Sequence, residues 1–261
     1  PCEDVAMGPP PLPRPSSPGS PPEASGPDVV AAGAVVVRKG AENDLVKRAK
    51  ELGMEALALT DHGVLYGIVE FYKKAKKAGI KPIFGIEAYV APKSRLDKEN
   101  DDRYYHLILL AENETGWKNL IKLSTKAHLE GFYYRPRMDK ELLTQYHEGL
   151  IATSACLGGE VNSYLLKGDF ESAKKAALAY QDIFGKGNFF LEIGHHMKIP
   201  DSAKIHNDII RLAKETKIQL VATQDLHYVR KEEAEYHDIL LAVQTGNQLA
   251  DDDRLTLQAD D

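Results

Sequence analysis

The feature that most constrains the fold is a regular alternation of short apolar runs with segments of helical period. Runs such as "EALALT", "HLILLA" and "IQLVATQD" are nearly continuous and apolar, which is typical of strands buried on both faces. The segments between them follow a helical spacing, as in Leu45, Ala49 and Leu52, with Gly53 placed as a C-cap. About seven such strands, alternating with helices, predict an α/β protein with a parallel sheet covered by helices.

The longer helices are predicted at 66–78, 114–130, 170–184, 201–216 and 231–244, with a short one near 159–166. Gly79 is placed to close the first of these helices, and Asp201 is placed to cap the start of the fourth.

The amino-terminal segment has a different composition. Residues 8–27 hold nine of the 14 prolines and almost no residue able to form a core. Such a tract cannot offset the entropy of ordering, so residues 1–28 are predicted to be a disordered leader. Residues 29–261 are predicted to form one globular domain, which opens with the apolar run "VVAAGAVVV".

Charge and cysteine content exclude several classes of protein. The net charge of -6 argues against a surface built for non-specific binding of DNA or membranes. Cys2 and Cys156 are too few and too far apart for a disulfide framework, which fits a reducing cytoplasm. No apolar run long enough to span a membrane occurs, and no Walker-type or dinucleotide-binding glycine motif is present.

Potential metal ligands gather where the predicted strands end. In open and closed α/β sheets, functional groups collect at the carboxyl ends of the strands. Residues of ligand type at or near such ends are Asp61, His62, Glu87, Cys156, Asp225 and His227, and His106 stands early in its run, where it fits the rule less well. A lone histidine at a strand end is usually structural, but several ligand types in one array predict a metal site.

The ligand types restrict the metal. Imidazole and carboxylate suit zinc, manganese or iron, and the single thiolate of Cys156 favours zinc. Asp225 and His227 form a ligand pair if alternate strand residues share a face. Two or more ions bridged by carboxylates would suit phosphoester hydrolysis.

Other polar residues are expected to have lesser roles. Glu192 is a candidate to support the metal ligands, whereas His195 and His196 fit either ligands or a solvated loop. His128, His147, His206 and His237 are expected at the surface. The segment "GFYYRPRMD" joins aromatic residues with Arg135 and Arg137, which could contact nucleic acid by stacking and phosphate binding, or form an ordinary packed loop.

The motifs "TDHG", "SACLGGE" and "DLHYV", in this order, resemble the PHP (polymerase and histidinol phosphatase) domain of bacterial DNA polymerase III alpha subunits. The similarity runs from about residue 43 to the end of the sequence. It implies a distorted seven-stranded β/α barrel, similar to a TIM barrel, with a cluster of divalent metal ions at its mouth. In some members this centre is a 3′–5′ proofreading exonuclease, whereas in others the domain is structural.

Matched residue by residue, the resemblance implies a ligand set of His62, Glu87, His106, Cys156, Asp225 and His227. Asp61 would be a neighbour of the set. The resemblance also implies DNA replication, with the rest of the polymerase chain, the replicase holoenzyme and DNA as partners, in the cytoplasm and away from membranes.

The sequence departs from this family at its first strand. The family carries His-x-His there, followed by a further acidic ligand, but this sequence has no histidine before His62. We therefore expect an incomplete ligand shell and impaired hydrolysis. The printed sequence also ends before any palm domain, so we expect no polymerase activity from it alone.

Two other hypotheses remain open. The chain could be a freestanding metal-dependent phosphoesterase of the histidinol-phosphatase type, which would bind metal and cleave a simple phosphoester. Alternatively it could be a non-catalytic structural module, whose folding and metal content would not depend on His62 or His227.

Overall fold

The computed structural model describes residues 29–31, 34–35, 42–98, 103–194 and 199–251. The strands in this part of the chain are β1 (Val29–Ala31), β2 (Ala34–Val35), β3 (Ala56–Leu59), β4 (Lys81–Val90), β5 (Tyr105–Ala111), β6 (Phe132–Tyr133), β7 (Arg135–Met138), β8 (Leu150–Thr153), β9 (Phe189–Gly194) and β10 (Leu220–Thr223). The α-helices are α1 (Glu42–Glu51), α2 (Ile68–Ala78), α3 (Glu114–Leu129), α4 (Lys140–Gln145), α5 (Glu160–Leu166), α6 (Phe170–Phe184), α7 (Pro200–Thr216) and α8 (Ala234–Thr245). The predicted disordered leader lies outside the described residues.

The sheet curls back on itself through its first strand. In order across the sheet the strands are β1, β10, β9, β8, β5, β4, β3 and β2. Only residues 32 and 33 separate β1 from β2, and these two short strands pair in parallel with β10 and β3 respectively. One stretch of chain therefore joins both ends of the path, and the predicted distorted seven-stranded barrel is confirmed. We call β1 and β2 together the closing strand.

The prediction of a parallel sheet is wrong at β5. β5 runs antiparallel to both of its neighbours, β4 and β8. No helix lies in the described residues between β4 and β5, so this connection contains no helical crossover of the kind that joins parallel strands. Because of this reversal, the amino end of β5 lies at the edge of the sheet where β3 and β10 have their carboxyl ends. We call this edge the mouth.

Three elements after α3 have no counterpart in the sequence prediction. β6 and β7 form a short antiparallel hairpin, and β7 also pairs in parallel with the end of β4. The short helix α4 follows, capped by the Asp139 carboxylate, which accepts from the backbone nitrogen of Leu142 at 2.9 Å.

Most predicted helices are present with shifts of a few residues at their ends. Gly79 closes α2 in the left-handed conformation, as predicted. The predicted cap at Asp201 is wrong, because α7 already begins at Pro200, with Ile199 as its N-cap. Leu52 follows the last turn of α1 and is largely exposed, while Leu45 and Ala49 are buried as the pattern predicts.

The helices cover the outer face of the sheet with apolar side chains. The larger buried cluster lies between the sheet and α3, α5, α6 and α7, and the smaller one lies between α1, α2 and β3. Among the helices of the described residues, none is both long and apolar enough to cross a bilayer.

Candidate metal centre

Three predicted ligands meet at the mouth. His62 follows β3, Glu87 lies near the end of β4, and His106 is the second residue of the reversed strand β5. Their donor atoms lie within 4.8 Å of one another. His106, which fitted the strand-end rule poorly, reaches this cluster because β5 runs in the opposite direction. We call these three side chains the donor triad.

Main-chain hydrogen bonds join the segments that carry His62 and Glu87. The backbone nitrogen of Glu87 donates to the carbonyl of Asp61 at 3.1 Å, and the nitrogen of Gly63 donates to the carbonyl of Glu87 at 2.9 Å. Gly63 has a φ of +69°, and a Cβ there would lie 2.8 Å from the ring of Tyr89. A side chain at this position would therefore displace the segment that carries His62.

Glu87 connects the two histidines. Its Oε1 lies 2.6 Å from Nδ1 of His106, and its Oε2 lies 3.5 Å from Nδ1 of His62. Burial by itself raises the pKa of Glu87, but the hydrogen bond with His106 and the charges of His62 and His106 outweigh burial and lower the pKa. Glu87 is thus an anion enclosed by the protein, which is the state that a cation requires of a ligand.

Cys156 adjoins the donor triad. Its Sγ lies 3.6 Å from Oε1 of Glu87 and 3.4 Å from Nδ1 of His106. The side-chain amide of Asn162 donates to the carbonyl of Cys156 at 2.9 Å and holds the loop after β8 in place. Burial, followed by the charges of Glu87 and Asp225, raises the pKa of the thiol well above its usual value. The protein alone therefore keeps this thiol protonated, and a bound cation would favour the thiolate.

Asp225 and His227 lie on the other side of the mouth, just after β10. β10 ends at Thr223 and Asp225 has a φ of 47°, so the two residues occupy a loop and not one face of a strand as predicted. Nδ1 of His227 lies 2.9 Å from the carbonyl oxygen of Asp225. The ring centroids of His227 and His62 are 6.4 Å apart.

Burial sets the charge state of this pair. It raises the pKa of Asp225 well above its usual value, with help from the charges of Glu87 and Glu192. It also lowers the pKa of His227 to about 4. Without a cation, both groups therefore favour their neutral forms.

Glu192 lies on β9 beside this pair and is buried. The hydroxyl groups of Thr153 and Thr223 both donate to its carboxylate, the latter at 2.5 Å. Burial raises the pKa of Glu192. Its hydrogen bonds go to neighbouring strands, as expected for a residue that supports the mouth.

The remaining histidines divide into three groups. The predicted surface position of His237 is wrong, because it is only 6% exposed and its ring centroid lies 5.6 Å from that of His227. His128 and His147 are half-buried and each lies near a carbonyl within its own segment, and His206 lines the cavity described below. His195 and His196 lie outside the described residues.

The two arginines proposed to contact nucleic acid have different surroundings. Arg135 is exposed. Arg137 is only 1% exposed, and its guanidinium donates to the carbonyl of Asp97 at 2.6 Å. The predicted contact through Arg137 is therefore wrong for this conformation, because its donors face main-chain oxygens inside the protein.

A cavity of about 330 Å³ opens beside these groups. The donor triad and Cys156 line one wall, and apolar side chains of β9, α7 and α8 line another. Buried anionic, imidazole and thiol groups on one wall, with no lysine or arginine among the described lining residues, suit a divalent cation.

Comparison with known proteins points to one family. The family model described as the PHP domain matches residues 39–196. Among curated proteins, the DNA polymerase III subunit alpha of Borreliella burgdorferi is 46% identical over 222 residues, which are 84% of this chain and 19% of that protein. The subunit of the same name from Treponema pallidum is 46% identical over 220 residues, which are 83% of this chain and 19% of that protein.

The chain thus spans about a fifth of the length of these curated relatives. Among solved structures, an amidohydrolase from Chromobacterium violaceum aligns with a TM-score of 0.49 and 14% identity, covering 75% of this chain and 87% of its own.

Proposed function

The chain belongs to the PHP domain family, and on that premise we propose that it is the PHP portion of a bacterial DNA polymerase III alpha subunit. In this proposal it serves DNA replication in the cytoplasm, as one domain of a longer polymerase chain within the replicase. The similarity to curated alpha subunits over more than four-fifths of this chain supports the assignment. We propose residues 29–261 as the domain.

The observation that carries a metal-binding role is the convergence of His62, Glu87 and His106. Three donor atoms within 4.8 Å of one another, with an anionic carboxylate between two imidazoles, fit one divalent ion. Cys156 stands beside them as a fourth donor, which makes zinc the preferred ion, with manganese and iron as alternatives. Asp225 and His227 would complete the set from the other side of the mouth.

The missing first-strand histidines limit this centre. Since the sequence has no histidine before His62, the closing strand brings no imidazole to the mouth. We propose that the centre holds fewer ions than a complete PHP site and that its hydrolysis of phosphodiesters is weak. A bound divalent ion would act as a Lewis acid on a phosphodiester. Glu87 would hold the two imidazoles in place, and Asp225, which burial keeps neutral, would lose its proton on binding the ion as a ligand.

The test combines metal content with turnover. We expect elemental analysis to find at least one zinc per purified chain, and His62→Ala combined with His106→Ala to lose it. Hydrolysis of bis(p-nitrophenyl) phosphate should be slow but abolished in the same variant. Less than one bound ion and no turnover would refute the metal-centre proposal. Rapid turnover would favour the freestanding phosphoesterase.

A further inference from the structure

One wall of the cavity at the mouth is built from isoleucines and takes no part in the proposed metal centre. Ile193 comes from β9, whereas Ile199, Ile205 and Ile209 come from α7 and its N-cap. We call these four residues the isoleucine wall. A divalent ion is bound by nitrogen, oxygen and sulfur atoms and gains nothing from such neighbours. The wall therefore indicates a ligand that has an apolar part.

The isoleucine wall is fixed by the core and still has apolar surface to offer. Ile205 is 1% exposed and Ile209 is 5% exposed, and both belong to the larger buried cluster. Ile193 and Ile199 are only half-buried, so a ligand can cover the remaining apolar surface. A wall that is already held in place loses little conformational entropy when a ligand binds to it.

The opposite character of the donor triad defines the head group of such a ligand. His62, Glu87 and His106 suit a divalent ion, and zinc accepts a carboxylate oxygen as a further ligand. The described lining residues include no lysine or arginine, so a dianionic phosphate monoester would meet no cationic side chain there. A single carboxylate is therefore the head group that fits this cavity best.

The size of the cavity limits the body of the ligand. Its volume of about 330 Å³ is at the lower end of the range for small-molecule pockets, which is roughly 300–1,000 Å³. A body of several carbon atoms matches this space, and each methylene that it buries strengthens binding about fourfold.

We propose that the cavity binds a small carboxylic acid with an apolar body. The carboxylate faces the donor triad, and the body lies on the isoleucine wall. This inference rests on the proposed function, because it names a ligand class for the same centre. Such a ligand occupies the place of a phosphodiester and therefore inhibits its hydrolysis.

The test compares three probes by calorimetric titration of the chain, once saturated with zinc and once in EDTA. Octanoate is the complete probe, acetate carries the head group alone, and 1-octanol carries the body without a charge. Octanoate should bind the zinc-loaded chain at least about 100-fold more tightly than acetate, because it has six more methylenes. The affinity for 1-octanol should be similar with and without zinc. Equal binding of octanoate and acetate overturns the proposal.

Two variants show where the body binds. Ile199 is the N-cap of α7 and makes no side-chain cap hydrogen bond, so Ile199→Ser shortens the wall while it supplies a favourable cap. This variant should fold at least as stably as the wild type, yet bind octanoate and 1-octanol at least about threefold more weakly.

The second variant fills the cavity. Ser202 lines it from the first turn of α7, so Ser202→Phe should weaken the binding of octanoate and 1-octanol at least about tenfold. Asn207→Phe is the matched control, since it adds the same ring at an exposed position of α7 outside the described lining. Wild-type affinity in both Ile199→Ser and Ser202→Phe overturns the isoleucine wall as the binding surface.

The same titrations separate this proposal from the metal centre. A chain that binds zinc but does not distinguish octanoate from acetate keeps the metal centre and overturns the carboxylic acid ligand. A chain that binds 1-octanol on the isoleucine wall but binds no zinc overturns the metal centre and the carboxylate contact, and leaves only the apolar subsite.

Discussion

The two sides of the mouth hold their polar side chains in different ways. On the side of β3 to β5, Glu87 is an anion between two imidazoles, and three donor atoms already lie within 4.8 Å. On the side of β9 and β10, Glu192 and Asp225 have raised pKa values and His227 has a lowered one. The closing strand pairs with both sides. The first side thus offers a charged carboxylate to a cation. On the second side, the carboxyl and imidazole groups favour their neutral forms until a cation binds.

The largest expected effect lies on the first side. Glu87→Gln keeps the shape of the side chain but removes the charge between the imidazoles, so zinc affinity should fall at least about 100-fold. Competition with a chromophoric chelator measures it. Glu160→Gln is the matched control, since this second buried glutamate bonds to Tyr180 outside the centre. If Glu87→Gln bound zinc as tightly as the wild type, the contrast between the two sides of the mouth would be contradicted.

The second prediction concerns pH in the absence of metal. The folded protein holds His227 at a pKa of about 4, against 6.5 for the free side chain, so the unfolded chain binds a proton first as the pH falls. The contribution of His227 to the free energy of unfolding should therefore decrease between about pH 6.5 and pH 4, by on the order of 2 kcal/mol, as seen in the difference between the wild type and His227→Gln. Urea unfolding in EDTA at several pH values measures this slope. His227→Gln should flatten it, and an unchanged slope would show that His227 titrates normally.

The third prediction separates stability from binding on the second side. The raised pKa of Asp225 means that its ionisation at neutral pH opposes folding, and that this cost vanishes at acidic pH. Asp225→Asn should therefore raise the Tm of the metal-free protein by about 2–4 °C at pH 7. Asparagine also tolerates the positive φ at this position. The increase in Tm that zinc causes should be smaller in the variant, and a larger increase would contradict a role for Asp225 as a ligand.

The smallest effect is expected at Glu192. Its partners are threonine hydroxyls, which can turn to accept from an amide, so Glu192→Gln should change zinc affinity by less than about threefold. Calorimetric titration with zinc measures this. A loss comparable to that of Glu87→Gln would place Glu192 among the ligands and make the two sides alike.

Sequence patterns predicted strands alternating with helices and the positions of most of the polar groups, and the resemblance to a family predicted the barrel. Continuous apolar runs followed by Asp61-His62, or by Asp225 and His227, indicate strand ends. At these positions the side chains change from apolar ones that would be buried in a sheet to polar ones. His62, Glu87 and Cys156 were named from this rule, and the structure brings them together. Their binding of metal stays a prediction.

These patterns did not predict the direction of a strand within the sheet. The apolar residues of β5 read the same in either direction, and its reversal follows from pairing with β4, a tertiary contact. For that reason the place of His106 in the donor triad had no local signal. The resemblance to a family was the only pointer to it.

The sequence patterns also did not predict which polar side chains are buried. Arg137 looks like a surface residue in sequence, but its guanidinium donates to the carbonyl oxygen of Asp97 in a distant segment. His237 follows the exposed Tyr236 on α8, and its ring packs against those of His227 and Tyr228, which explains its burial. A signal for the hairpin did exist, since Gly131 precedes the aromatic cluster 132–134, and Pro136 follows that cluster by two residues.

The closing strand also constrains the order in which the barrel can be made. β5 pairs with β4 across a short connection, with Val90 opposite Tyr105, but Val29 pairs with Leu220, about 190 residues later. Contacts so distant in sequence form slowly, because the intervening chain must first be brought together. On a ribosome, β1 emerges long before its partner β10, so its backbone groups must wait for that partner to be synthesised. The closing strand therefore completes its pairing late in folding, although it is translated well before β10.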